Sequence, residues 1–350
     1  SKTGYKLEEI GGLNLGGKLR IEGLNNVARL SEAEGANLMG KTNLHELRLS
    51  WNNGEPKSNS AIANEVLEAL QSPPHLKTLR IYYYQGSCLP SWIQKLESLV
   101  TLVLFDCNMC QQLPQLGKLP SLRKLEIISM DDVQYLDDNE SSDDVNVSFP
   151  SLEQLQVRWL PNLQQLLKVE REKMFPLLSN VTIDDCSNLR FPSLPSIKQL
   201  NIRECNYDLL QSISGFSGLT FLNLSGGEDL TSFPPGMVTN LTFLKTMTLC
   251  YFPKLKELPF GIINLKALER MEIKWCSELE SLPEQIWEGL CSLQYLEIAY
   301  CGKLGSLPKG AGEVESLEVL RIECCPELEK KYKEGTGEDW AKKAHIANIH

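Results

Sequence analysis

Only four histidines occur among the 350 residues, and His45, His75, His345 and His350 fall at no metal-ligand spacing. Neither G-x-S-x-G nor H-E-x-x-H is present, so two hydrolase signatures are missing. No apolar run approaches the roughly 18 residues that a membrane-spanning helix needs. The longest, LVTLVLF at 99–105, is strand length, and no membrane span is read. Ser1–Ile10 has no apolar core behind a basic start, so no signal peptide is read there. Basic residues are not in excess: 35 Lys and Arg against 45 Asp and Glu give a formal charge of −10. Phosphate backbones are bound by clustered Lys and Arg, which argues against general nucleic-acid binding. The eleven cysteines are an odd number in a long chain. A disulfide framework favours an even count in a short secreted chain, so reduced thiols and a cytoplasmic compartment are expected.

What the sequence has is self-similarity. The pattern L-x-x-L-x-L begins at Leu44, Leu76, Leu99, Leu122, Leu152, Leu178, Ile197, Leu219, Leu244, Leu268, Leu293 and Leu317. The step averages about 25 residues, within the leucine-rich-repeat range. Two weaker units precede these, Ile10-Leu13-Leu15 and Leu19-Ile21-Leu24. The L-x-L core has period two and reads as a short strand with one buried face. No unit can bury its leucines alone, whereas stacked units bury one another's. The expected fold is an α/β solenoid: a leucine-rich-repeat horseshoe of about 13 repeats with a parallel concave sheet, over residues 1–328.

Eight residues after each first position (offset +8) lies a ladder site, with Asn52 in the first strong unit and Cys107, Cys186, Cys205, Cys276, Cys301 and Cys325 in six others. A small polar side chain turned inward there can satisfy backbone groups left unpaired by the bend. L-x-x-L-P runs such as Leu255/Leu258/Pro259 and Leu279/Leu282/Pro283 close the outer side of the core. The longest step carries Ala61–Gln71, with Ile62, Val66, Leu67 and Leu70 at helical spacing and Pro73 and Pro74 as a stop. An insert at about 131–148, with Asp131, Asp132, Asp137, Asp138, Glu140, Asp143 and Asp144, predicts a solvated loop. Residues 329–350 leave the repeat and predict a capping tail with Trp340 and Ile346 as plugs.

Little here points to catalysis or metal. Gly12 to Lys18 matches G-x-x-x-x-G-K, but Leu19 stands where a P-loop needs a hydroxyl, and a strand follows instead of a helix. Cys107 and Cys110 form a lone C-x-x-C already accounted for by the ladder. The sequons at Asn139, Asn146, Asn180, Asn223 and Asn240 are weak evidence for secretion. No catalytic residue, metal ligand or cofactor site is assigned.

Offsets +1, +2, +4, +6 and +7 are expected to face solvent on the concave side. Lys and Arg balance Asp and Glu there, which suits a protein partner better than a phosphate backbone. Aromatics favour offset +7: Trp51, Tyr83, Trp159, Tyr251, Trp275 and Tyr300, with Tyr82 and Phe105 at +6. Exposed Trp, Tyr and Arg are the usual anchors of interfaces. The candidate contact set is these eight together with Arg80, Arg158, Arg203 and Lys274. Aromatics at a strand's end can also simply cover the loop edge.

Four stretches carry a family resemblance: Leu19–Ala28 running on to Leu44–Asn52, Tyr84-QGSCLPSW-Ile93, Leu113-PQLGKLPSLRKLEI-Ile128, and Cys325-P-E-L leading to Gly337-E-D-W and Ala344-H-I. They resemble the leucine-rich-repeat region of plant intracellular immune receptors of the coiled-coil nucleotide-binding class, the NLR-type disease resistance proteins. The resemblance implies a region that recognises a pathogen effector or a guarded host protein, and that holds the receptor's own nucleotide-binding domain inactive. ATP or ADP is expected only in that other domain. A second reading is an extracellular repeat inhibitor or receptor ectodomain that binds an enzyme or peptide. It predicts paired disulfides and glycans.

Overall fold

The structure is a computed structural model that describes residues 6–53, 60–137, 147–169, 173–192, 194–310 and 314–332, with the backbone of Asn348–Ile349. The chain groups into two compact units, Ser1–Leu178 and Ser179–His350.

In the first unit six strands run parallel: Gly16–Glu22, Asn43–Ser50, Thr78–Tyr82, Thr101–Phe105, Lys124–Ile128 and Gln154–Arg158. Their pairing sets Leu47, Leu79, Leu102, Leu125 and Leu155 side by side. In the second unit seven strands do the same: Asn180–Asp184, Gln199–Arg203, Phe221–Ser225, Thr246–Cys250, Arg270–Lys274, Tyr295–Ala299 and Val319–Glu323. Val181, Leu200, Leu222, Met247, Met271, Leu296 and Leu320 share one row, and Asn348–Ile349 adds a short last strand. The spatial register is thus the alignment of the sequence pattern. The aliphatic positions of the twelve strong repeats are all buried, and each fully buried Leu or Ile contributes about 1.5–3 kcal/mol. Each unit is a leucine-rich-repeat solenoid of the α/β class.

Outer segments are short because a step of about 25 residues leaves little chain for them. Several carry a single 3₁₀ turn, such as Ser91–Lys95 and Phe260–Asn264. Among the described residues only the longest step accommodates a three-turn helix, Ser60–Ala69, whose Ala63, Val66 and Leu67 are buried along with the following Leu70. Ile62, expected on that buried stripe, is exposed.

Three further expectations need correction or a boundary. The weak unit at Ile10-Leu13-Leu15 is not a repeat: Leu7–Ile10 is a 3₁₀ turn, Leu13 is exposed, and the first strand starts at Gly16. Of the acidic insert, 138–146 lies outside the described residues. Its flanks are ordered: Tyr135–Asp137 pairs with Gln165–Leu167, and Val147–Ser148 with Lys173–Met174. Asp137 is buried there, and its Oδ2 accepts the backbone N–H of Gly117 at 2.9 Å. The proposed plugs Trp340 and Ile346 lie outside the described residues, while helix Pro326–Tyr332 buries Leu328 and Tyr332.

Candidate protein-binding face

Period two alone would bury offset +7, because +3 and +5 point inward. The backbone prevents this. At +7 the chain takes a left-handed conformation in eleven of the twelve strong repeats: Tyr83, Asp106, Ser129, Trp159, Asp185, Glu204, Gly226, Tyr251, Trp275, Tyr300 and Cys324, with φ between 51° and 70°. For an L-residue this costs about 1–2 kcal/mol. Hydrogen bonding to the next repeat offsets part of that: Tyr83 N–H donates to Phe105 O at 2.8 Å, Tyr251 N–H to Lys274 O at 2.9 Å, and Trp275 N–H to Ala299 O at 2.9 Å. The reversal swings +7 out to solvent and sends +8 inward.

The exception is Trp51, whose φ is not positive. It continues the strand's alternation, and the sheet buries it to 2% exposure against Tyr84, with ring centroids 4.9 Å apart. Trp51 is therefore core and not a contact residue, and Asn52, expected in the ladder, is exposed at the rim. The tryptophan fills the site that cysteine fills elsewhere.

Ladder cysteines Cys107, Cys186, Cys205, Cys276, Cys301 and Cys325 are all buried. Each thiol donates to nearby backbone carbonyls, as Cys276 does to Lys274 O and Cys301 to Ala299 O, both at 3.5 Å. Burial pushes the Cys107 and Cys205 thiols up to about 12, so they stay protonated and unreactive near neutrality. All eleven cysteines are free, and three, Cys88, Cys291 and Cys324, are exposed. A thiol-reactive dye added to the folded chain is expected to label those three rapidly and the ladder only after unfolding. Rapid labelling of six or more would contradict the burial.

In the first unit the face gathers aromatics. The Arg48 guanidinium lies 4.0 Å from the centre of the Tyr82 ring, and Tyr82 and Tyr83 each sit 5.6 Å from Phe105. Arg80 pairs with Glu46, which also takes Lys18 at 3.0 Å. Arg80 is thus half-buried and tied to its neighbours rather than free for a partner. Trp159 is 44% exposed, with Arg158 at 5.5 Å over its ring.

In the second unit charge dominates. Glu272 sits between Arg270 at 2.6 Å and Lys274 at 2.8 Å. Glu297 receives Lys274 at 3.0 Å and Arg321 at 3.8 Å. Arg270 also lies 3.6 Å from the centre of the Tyr295 ring. Lys274 is therefore a bridge within a plate of alternating charge that spans three strands. Above the plate, Trp275 stacks on Tyr300 with ring centroids 3.8 Å apart, and Tyr251 and Trp275 are 50% and 46% exposed. Arg203 is exposed, 3.9 Å from Asp184. Arg48, Glu272, Glu297 and Arg321 count among the balanced charges of the concave offsets but were left out of the candidate contact set, although the alternation R-M-E-I-K in Arg270–Lys274 signalled the plate.

Burial works to raise the Glu272 carboxyl, but hydrogen bonds from Lys274 and Arg270 outweigh it and hold the group below its ordinary 4.5. A carboxyl lowered in the folded state stabilises the fold above the unfolded value, and the contribution is lost as pH falls through the folded value. Glu272→Gln should therefore be less stable than the parent at neutral pH, with the difference shrinking below about pH 4.5. Urea unfolding at pH 7 and pH 3.5 checks this, and a difference independent of pH would contradict it.

Two family models match the chain, "R13L1/DRL21 LRRs" over residues 7–130 and "Leucine-rich repeat region" over 196–334. RGA1 of Solanum bulbocastanum, named as a disease resistance protein, is 38% identical over 265 residues, or 75% of this chain and 26% of the relative. The chain belongs to the leucine-rich repeats of plant disease resistance proteins. RGA2 of the same plant is 37% identical over 270 residues, 75% of this chain and 26% of RGA2. RPP13-like protein 1 of Arabidopsis thaliana is 32% identical over 272 residues, 70% of this chain and 26% of that protein. The chain thus spans about a quarter of the disease resistance proteins it matches. Among solved structures, the leucine-rich repeat domain of APL1B aligns with 91% of this chain and 83% of that chain at 15% identity and a TM-score of 0.48; the family assignment does not rest on it. No helix among the described residues is long and apolar enough to cross a membrane.

Proposed function

We propose that the chain is the recognition and autoinhibition region of a cytoplasmic plant immune receptor of the nucleotide-binding class. Its exposed strand face binds a pathogen effector or a guarded host protein. The supporting observation is the left-handed residue at +7, a backbone cost repeated along the chain that presents Trp159, Tyr251 and Trp275 to solvent at 44–50% exposure. Aromatic rings of that size, rigid and half-wet, are what hot spots are made of. The same face would hold the receptor's nucleotide-binding domain inactive, and a partner that binds the face in competition would favour the open state. The nucleotide site belongs to that domain. In this chain Gly16 and Gly17 begin a strand and Leu19 lacks the hydroxyl for magnesium, so the Gly12–Lys18 segment does not fit a phosphate. Free thiols support this reading over the extracellular one.

The test is affinity capture from infected tissue with the parent chain and with a variant in which Tyr251 and Trp275 are replaced. A protein retained by the parent and absent with the variant supports the reading. Equal retention by both overturns it.

A further inference from the structure

Where Trp51 turns inward, the rim of the first unit opens. Asn52, which a left-handed residue at 51 would have sent toward the core, stays exposed and with Asn53 lines a pocket of about 310 Å³. Tyr83 and Asp106, the left-handed residues of the next two repeats, line it too, with Gln85 and Asn108. We propose that this pocket binds the guanidinium of an arginine side chain presented by a protein partner.

Four observations converge. First, the Asp106 carboxylate is half-buried and its side-chain partner is neutral: Asn108 Nδ2 donates to its Oδ1 at 2.5 Å, and among the described residues no Lys or Arg pairs with it. Burial raises its pKa, Asp131 adds to that, and the Asn108 bond only partly offsets them. A carboxylate so placed gains from an arriving cation. Second, the pocket is lined by side-chain amides whose oxygens can accept: Asn52, Asn53 and Asn108 carry three, and a guanidinium carries five donors in a planar fork. An ammonium, a single point of charge, would use fewer of them. Third, the Tyr83 ring lines the pocket and is fixed at 82° against Phe105, which offers a cation an aromatic neighbour. Fourth, Asp131 is exposed nearby and makes the approach more negative, which disfavours carboxylate or phosphate ligands. The volume sits at the low end of the range for small-ligand pockets, about 300–1,000 Å³, and suits one long side chain.

This inference rests on the reading that the strand face meets a protein, but its test does not need that protein. Nα-acetyl-arginine amide is titrated into the full chain while the side-chain amide resonances of Asn52, Asn53, Gln85 and Asn108 are followed by NMR. Saturable shifts with the arginine derivative are expected, with the lysine derivative at least about fivefold weaker and the neutral citrulline derivative silent. Asp106→Asn keeps a residue that tolerates the left-handed backbone, so the fold survives, and it should weaken binding about tenfold or more. Tyr83→Asn removes the ring on the same principle and should also weaken it. Equal shifts with citrulline, or undiminished binding by Asp106→Asn, would overturn the proposal. Arginine binding combined with a failed capture experiment would leave the pocket standing and remove the functional reading instead; the reverse result would do the opposite.

Discussion

Phe175→Ala is expected to destabilise the first unit by about 3–5 kcal/mol, the largest single-residue loss anticipated in the chain. Phe149 and Phe175 are buried to 1% and 0% exposure, with ring centroids 4.9 Å apart and planes within 11°. Each ends an outer segment three residues before its repeat's first leucine, the site that Leu96 and Leu119 fill in earlier repeats. Both are left-handed, and Phe175 N–H donates to Ser148 O at 3.0 Å, so the backbone is committed to placing the ring inward. Truncation would leave a ring-sized cavity between two repeats that the paired segments Val147–Ser148 and Lys173–Met174 cannot collapse to fill. Because solenoid stability is carried between neighbours, the loss should be local at first. Amide exchange is expected to accelerate between about residues 147 and 178 before the rest of the unit responds. Uniform acceleration along the chain, or a loss below about 1 kcal/mol, would contradict the argument.

The second large effect concerns binding. Trp275→Asn combined with Tyr251→Asn is expected to weaken partner affinity by at least about 30-fold, the equivalent of one hot spot of 2 kcal/mol. Asn is chosen because it accepts a positive φ more readily than an aromatic residue, so the backbone that now holds Trp275 at 60° and Tyr251 at 66° is retained. What is lost is half-exposed aromatic area and the stack between Trp275 and Tyr300. Relief of left-handed strain works against that loss, so the melting midpoint should shift by only a few degrees. A large fall in melting temperature would make these rings structural edge covers, and unchanged affinity would put the partner on another surface.

The repeat was legible because its signal is arithmetic: aliphatics at fixed offsets have to stack on the same aliphatics one coil away. Leu47, Leu79 and Leu102 pair in the structure as they align in the sequence. The ladder was legible for the same reason in six of its seven assigned residues. Asn52 and Trp51 were misplaced together, because the sequence does not announce whether the residue at +7 reverses the chain. Where it does, an aromatic faces water; where it does not, period two wins and the aromatic is buried. The ion network was harder to see. Arg80 and Lys274 read as contact residues, but Glu46 and Glu297 stand on the strands beside them within 4 Å, and only the strand register reveals such cross-strand pairs. The rim pocket was not legible at all, since it exists only because one repeat omits the reversal.

Hydroxyl-radical footprinting, read by mass spectrometry on the chain alone and with its captured partner, tests the central claim most directly. The account predicts rapid oxidation of Trp159, Tyr251 and Trp275, slow oxidation of Trp51 and Tyr84, and protection of Tyr251 and Trp275 when the partner is added. Trp51 reacting as fast as Trp275, or protection confined to outer residues such as Phe243 and Phe260, would contradict it.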